Sequence, residues 1–360
     1  MERPLLRIYN PGGEYRDDVR APAELRANLH AHTASWFEVA LQPGDYREEL
    51  LREPGARVQM SAHGEHLAGG LVASWSMTGP PRPATTVKIV DDRAVLEQIL
   101  TAPQPALPLA QQGPGAWTGN GPLESVLKTL VAANAPRAGF AIDIATDLGR
   151  GPVVNVTGRW EPVASVVDEH LRAAGMIATV TWQPSTGRLL LDVDEPGTYH
   201  TRLATTDGTI QSWRVTSTAP TATRALVGDD NGAVQQATRG DVEALWRTAG
   251  EVWRAAGAAG ASTEATVVLD EYGPKSGMSI QLAESPHVHY GGPHGMHVGQ
   301  RVSLAVADVT ITDVLTECDI TWTPGNPVVA GPKVGAWDDS PITSLSRAVA
   351  RIARSVRRNR

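Results

Sequence analysis

The sequence predicts a β-rich α+β chain of several domains, and three observations carry that expectation. The 35 Gly and 26 Pro among 360 residues supply many turns and strand ends, because Gly reaches positive φ and Pro interrupts helices and central strands alike. Short runs through the first hundred positions alternate apolar and polar residues, the period of half-buried strands. A chain of 360 residues also exceeds the size at which one core stops growing, so it divides into compact units.

Strands are expected around Leu6–Ile8, Trp36–Val39–Leu41, Val58–Met60, Leu71–Ala73–Trp75 and Val87–Ile89. Turn signals at Pro11-Gly12-Gly13, Gly44-Asp45, His63-Gly64 and Gly79-Pro80-Pro81 separate them. With a helical stretch from Ala94 to Leu100, residues 1–100 read as a first small barrel or sandwich domain. Residues 101–121, rich in Pro, Gly and Gln and without a period, read as a linker.

Pro122 suits a helix start, and Leu123, Val126, Leu127, Leu130 and Val131 recur on one face until Asn134 and Pro136 end the run. A second helix from Glu161-Pro162 to Ala174 carries Val163, Val166, Val167 and Leu171 and stops at Gly175. The following MIATVTWQPSTGRLLLDV is a strand, a turn and a strand. Residues 122–205 are therefore expected to lay helices on a hairpin.

Residues 206–325 read as another strand-rich domain with a third helix over 238–256, where Val242, Leu245, Trp246, Ala249, Val252 and Trp253 repeat at helical spacing. Both Trp residues are expected in its core. Further strands are expected at Ala265–Leu269, Met278–Leu282, Val302–Val306 and Thr310–Thr323, and residues 326–360 form a C-terminal tail.

The formal net charge is -7, but Pro341 to Arg360 holds six Arg and no acid, which leaves -13 on the first 340 residues. No global basic field exists to hold nucleic acid. Leu345, Val349, Ile352 and Val356, spaced four, three and four apart, make a narrow apolar stripe in this tail, too short to hold a bundle alone. The tail admits contact within an assembly, which the acidic body favours, disorder, or contact with lipid or DNA. With the single Cys318 no internal disulfide forms, and no apolar run reaches signal-peptide or membrane-spanning length.

The sharpest candidate for chemistry is SPHVHYGGPHGMHVG, which sets His287, His289, His294 and His297 within eleven residues. Imidazoles bind zinc or iron well, so a metal is chemically available. The pattern matches neither HExxH nor a Cys/His finger and contains no Asp or Glu, so a turn-rich surface loop is the expected reading and no metal or cofactor is assigned. His30 and His32 read as a polar strand face, and Asp17-Asp18, Asp91-Asp92 and Asp229-Asp230 as solvated turns. No nucleophile elbow, P-loop or dinucleotide fingerprint is present.

Several stretches in a fixed order carry a resemblance: LLRIYNPGGEYRDDV, GARVQMSAHGEHLAGGLVASW, TVKIVDDRAVLEQIL, PLESVLKTLVAANAP, STAPTATRALVGDDNG and VGQRVSLAV. Together they resemble the tail-tip hub, or minor tail protein, family of actinobacterial long-tailed phages. That resemblance implies tail-tube-like β-barrels with an inserted helix-plus-hairpin domain, similar to phage tail hub proteins. It also implies a homotrimer in the virion tail tip, beside the distal tail protein, the tape measure protein and other tip or fibre proteins, opening for DNA ejection. An enzyme is not expected, nor sequence-specific nucleic-acid binding. Subunit contacts are expected from Leu345, Val349, Ile352 and Val356 with Arg347, Arg351 and Arg354. Two rivals stand beside this reading: a metal-dependent cell-wall hydrolase using the histidine loop, and a glycan-binding module using Trp36, Trp75 and Trp117.

Overall fold

The computed structural model describes residues 2–79, 84–206, 208–228, 234–255, 261–282, 285, 288–306 and 309–335. The described residues form two compact units, one within residues 1–212 and 280–332 and the other within residues 213–279 and 333–335.

The first strands follow the alternation of their sequence: β1 (Leu5–Tyr9), β2 (Tyr15–Val19), β3 (Glu24–His30) and β4 (Trp36–Ala40). Helix α1 (Arg47–Arg52) and strands β5 (Arg57–Ala62), β6 (Glu65–Thr78) and β7 (Ala84–Asp91) come next. The β5–β6 hairpin closes through His63 (φ 52) and Gly64 (φ 80), the two left-handed residues that a two-residue loop needs to match strand twist. Antiparallel pairing runs β4–β7–β6–β5–β1–β2. Leu6, Ile8, Val58, Met60, Phe37, Val39, Val87 and Ile89 are buried on the sheet's inner face.

A short helix α2 (Val95–Gln98) leads into the inserted part. The segment expected as a linker carries a strand, β8 (Trp117–Pro122), before α3 (Leu123–Asn134). Strands β9 (Ile142–Ile144) and β10 (Val153–Gly158), helix α4 (Val163–Ala174) and the hairpin β11 (Ile177–Gln183) and β12 (Arg188–Asp194) complete it. Leu123, Leu127, Leu130 and Val131 of α3 meet Val163, Val167 and Leu171 of α4 over Val180, Leu191 and Val193. Gly175 ends α4 at φ 66, the left-handed cap that a Cβ would disfavour. Beneath α3, Glu124 and Lys128 are buried but fully paired: Lys128 donates to Glu124 at 2.6 Å and to Asp192 at 3.0 Å, and Arg150 clasps Glu124 at 3.0 Å.

The chain continues through β13 (Leu203–Ala204), β14 (Ile210–Thr218), β15 (Arg224–Gly228) and β16 (Val234–Thr238). Helix α5 (Gly240–Trp246), β17 (Glu251–Ala255), α6 (Ala261–Tyr272) and β18 (Lys275–Leu282) follow. Last come β19 (Arg301–Val306), β20 (Val309–Trp322) and β21 (Val329–Gly335). The long β20 pairs with β19 through its first half and with β3 through its second. That extends the first unit's sheet by late strands.

Three expectations are corrected. The single helix over 238–256 is a strand end, a short helix and a strand, broken where Arg247 turns left-handed at φ 50. The strand expected at Ala265–Leu269 lies within α6. Among the described residues the sheet follows an open path, so the β-rich α+β class with its helix-and-hairpin insertion stands without a closed barrel.

Candidate functional site

The histidine loop is packed rather than loose. Tyr290 and Met296 are buried, and Gly291 (φ 78) and Gly292 (φ 85) bend the backbone so that a Cβ on Gly292 would lie 2.7 Å from His63 Cβ. The loop therefore rests on the tip of the β5–β6 hairpin, in the same unit.

The rings of His289 and His63 lie 4.8 Å apart. His63 is held from its other side by Glu2: its backbone N–H donates to Glu2 Oε2 at 2.8 Å, and the Glu2 N–H donates to His63 Nε2 at 3.1 Å. Burial, and then the charge of His63, push the His289 pKa down. His297 Nε2 is 2.9 Å from the Gly292 carbonyl and 3.4 Å from Glu65 Oε2. His294 is exposed, and His287 lies outside the described residues.

Among the described residues, His63 and His297 are engaged by backbone and carboxylate groups, and His289 lies against the His63 ring. Among the described residues no three His, Cys, Asp or Glu side chains converge as metal ligands. The arrangement ties a late segment to the β5–β6 hairpin through ring contact, side-chain contacts and two glycine bends.

A second constellation joins the first sheet to the inserted part. Arg93, buried, donates through Nε to the Ala178 carbonyl at 3.0 Å and through Nη2 to Asp168 Oδ1 at 2.6 Å. Beside it, Arg57 pairs with Asp92 and lies over the Trp182 ring at 5.0 Å, while Asp92 Oδ2 accepts from the Trp182 N–H at 3.1 Å. Gln59 donates to the Trp182 carbonyl at 3.0 Å, and Tyr9 meets the same ring edge-on at 4.9 Å. Trp182 is thus a key driven from the hairpin β11–β12 into the first sheet.

His32 departs from the expected polar strand face. It is 7% exposed, its Nδ1 has no hydrogen-bond partner, and its pKa is pushed down to about 3 by burial and by the charges of Arg172 and Arg93. A neutral imidazole therefore fills the space beside two guanidinium groups. Burial raises Asp168 in turn, against the pull of Arg93. Sequence inspection had no signal for this seam, because its partners stand as far apart as Arg93 and Ala178.

The three Trp residues weighed as a glycan platform have separate partners. Trp36 lies under the Lys88 ammonium at 4.9 Å, Trp75 under Arg52 at 5.5 Å, and Trp117 packs against the core of the inserted part. Trp75, 49% exposed, and Met77 pair with Val87 and Thr85, so they continue the inner face of the sheet beyond its covered region. The tail residues Leu345, Val349, Ile352, Val356, Arg347, Arg351 and Arg354 lie outside the described residues. No helix among the described residues is long and apolar enough to cross a membrane.

This sheet with its inserted helix-and-hairpin part is similar in fold to solved phage tail proteins. The chain is similar along 92% of its length to the 43 kDa tail protein of prophage MuSo2 from Shewanella oneidensis, with TM-score 0.62, 10% identity and 98% of that chain covered. It is similar to the tail protein from Neisseria meningitidis MC58 at TM-score 0.59 and 11% identity, covering 93% of this chain and 97% of that one. Prophage tail protein gp18 from Listeria monocytogenes EGD-e gives TM-score 0.54 and 11% identity, with 96% and 98% covered. No curated protein matches in sequence. Residues 5–336 match the family model for the Siphovirus ReqiPepy6 Gp37-like protein, and the chain belongs to that family.

Proposed function

We propose that the chain is a structural, non-enzymatic protein of the virion tail tip: a homotrimeric hub that closes the tail tube, links the distal tail ring to the tip proteins and opens for DNA ejection. The observation that carries this reading is the match of nearly the whole chain to a whole prophage tail protein, 92% of one and 98% of the other. The described structure fits it as well: the buried pairs Arg93–Asp168 and Lys128–Glu124 lie within one unit, and His63, His289 and His297 hold segments together.

In this reading the hub works mechanically, through subunit interfaces that switch between closed and open arrangements. Arg347, Arg351 and Arg354 face acidic groups of a neighbouring copy, consistent with the -13 charge of the first 340 residues. The distal tail protein, the tape measure protein and the fibre proteins are its partners in the particle, which is assembled in the host cytoplasm. Antibody against this chain, applied to intact virions in electron microscopy, should label the distal end of the tail. Labelling along the shaft or at the head would overturn the tip assignment.

A further inference from the structure

Among the described residues, the second unit's sheet β16–β15–β17 has one covered and one bare face. Strand β15 lies between β16, antiparallel, and β17, parallel. On the covered face Ala225 and Val227 pack with Ala265, Val268 and Leu269 of α6, and Ala237, Val252 and Tyr272 close around them. The alternate residues point the other way: Arg224 and Leu226 on β15, Gln236 and Val234 on β16, Glu251 and Trp253 on β17. There Trp253 is 59% exposed and Val234 55% exposed. The Trp253 ring lies across Gly228, where any Cβ would collide with it. A large aromatic laid flat on a sheet, with its outer side open, is an unfinished core.

We infer that this face is the seat of the chain's own C-terminal segment, with Leu345, Val349, Ile352 and Val356 packed on Leu226, Val234 and Trp253. Four observations on the molecule select this occupant. The last described strand, β21, pairs Lys333 to Gly335 with Ser279 to Gly277, so the chain leaves from the same unit. Ten further residues reach Leu345, a span of up to about 33 Å when extended, comparable with the diameter of a unit of this size. From Leu345 to Val356 is twelve residues, about 18 Å of helix, which matches the roughly 17 Å of a five-residue strand and equals the twelve residues of α6 on the opposite face. Two carboxylates also stand at this face, Glu243 at 2.7 Å and Glu251 at 3.9 Å from the Arg224 guanidinium. The segment from Pro341 onward brings six Arg and no acid.

Seated in this way, the segment completes a helix–sheet–helix sandwich around β15. On a helix, Arg347, Arg351 and Arg354 fall opposite the apolar stripe. The same segment therefore buries one side and offers a guanidinium row on the other. The apolar stripe need not hold a bundle, because a sheet is waiting for it.

The test uses the full-length chain with paired cysteines and a short bis-maleimide. The native Cys318 is buried and does not compete. Gln236→Cys combined with Ile352→Cys should cross-link within one chain, whereas Gln236→Cys with Arg347→Cys, on the opposite side of the segment, should not. Val234→Cys with Val349→Cys repeats the experiment from an independent pair of sites. Intramolecular linkage confined to the stripe pairs supports the inference. No linkage, equal linkage of stripe and arginine-side pairs, or linkage only between chains at twice the mass would overturn it, the last by showing that another copy covers the sheet.

Discussion

At the scale of the residue, the seam around Arg93 decides how firmly the inserted part is held. Asp168→Ala would leave a buried guanidinium without its carboxylate, and removing one partner of such a pair costs about 3–5 kcal/mol. Urea denaturation should show that loss, while exposed Arg188→Ala, whose ion pair with Asp143 is solvated on both sides, should change little. His32 gives the seam a pH signature. Its folded pKa of about 3 lies below the ordinary imidazole value of 6.5, so its contribution to stability is fully present above about pH 6.5 and is lost as pH falls toward 3. Between pH 6.5 and 5 that single group should remove about 2 kcal/mol. Asp91, raised to about 7 by burial, has the opposite sign: its contribution is present below 3.8 and lost as pH rises toward 7. The net curve therefore mixes the two, and the gap between the native chain and His32→Asn isolates the histidine: it should narrow as pH is lowered. A constant gap would show that His32 is already free to protonate in the fold. None of this was legible in the sequence, where His32 reads as one of a polar pair, because burial is supplied by residues such as Arg172 that no local pattern connects to it.

At the scale of the element, periodicity worked where a segment buries one face against its own neighbourhood. The helices Leu123–Asn134 and Val163–Ala174 and the hairpin Ile177–Asp194 were readable for that reason. Leu127→Ala, at the centre of their common core and fully buried, should destabilise the fold by about 2–5 kcal/mol, measured by thermal or urea unfolding. Periodicity misled at 238–256, where Val252 and Trp253 are adjacent apolar residues on opposite faces of a strand rather than on one face of a helix. Only the parallel pairing to β15 decides that conformation. Leu245, 79% exposed, shows how little of the expected helical core exists. Ala265–Leu269 failed differently: a short apolar run fits a strand or a buried helix equally, and its packing on Ala225 and Val227 selects the helix. The turn at His63-Gly64 was legible, and Gly64→Val should cost about 1 kcal/mol or more and disturb the hairpin that supports the histidine loop, since a β-branched residue resists φ 80.

At the scale of the whole molecule, the order of motifs along the chain said more than any one of them. The fold is kept over more than nine-tenths of the chain in tail proteins only about 10% identical to it. The histidine loop drew attention as chemistry and serves the described structure as a clasp between distant segments. What one sequence did not carry was the set of unfinished surfaces: the inner-face extension at Trp75 and Met77 and the bare sheet at Trp253 become visible only when strands are paired and faces assigned. Surfaces of this kind suit a protein whose burial is completed by its own tail and by other copies, and the hub reading stands or falls on that association. The most direct measurement is the solution mass of the purified full-length chain by light scattering across a concentration series. The account predicts a species of about three times 38.3 kDa that persists on dilution and weakens when residues 341–360 are removed; a single mass of 38.3 kDa at every concentration, indifferent to that truncation, would contradict it.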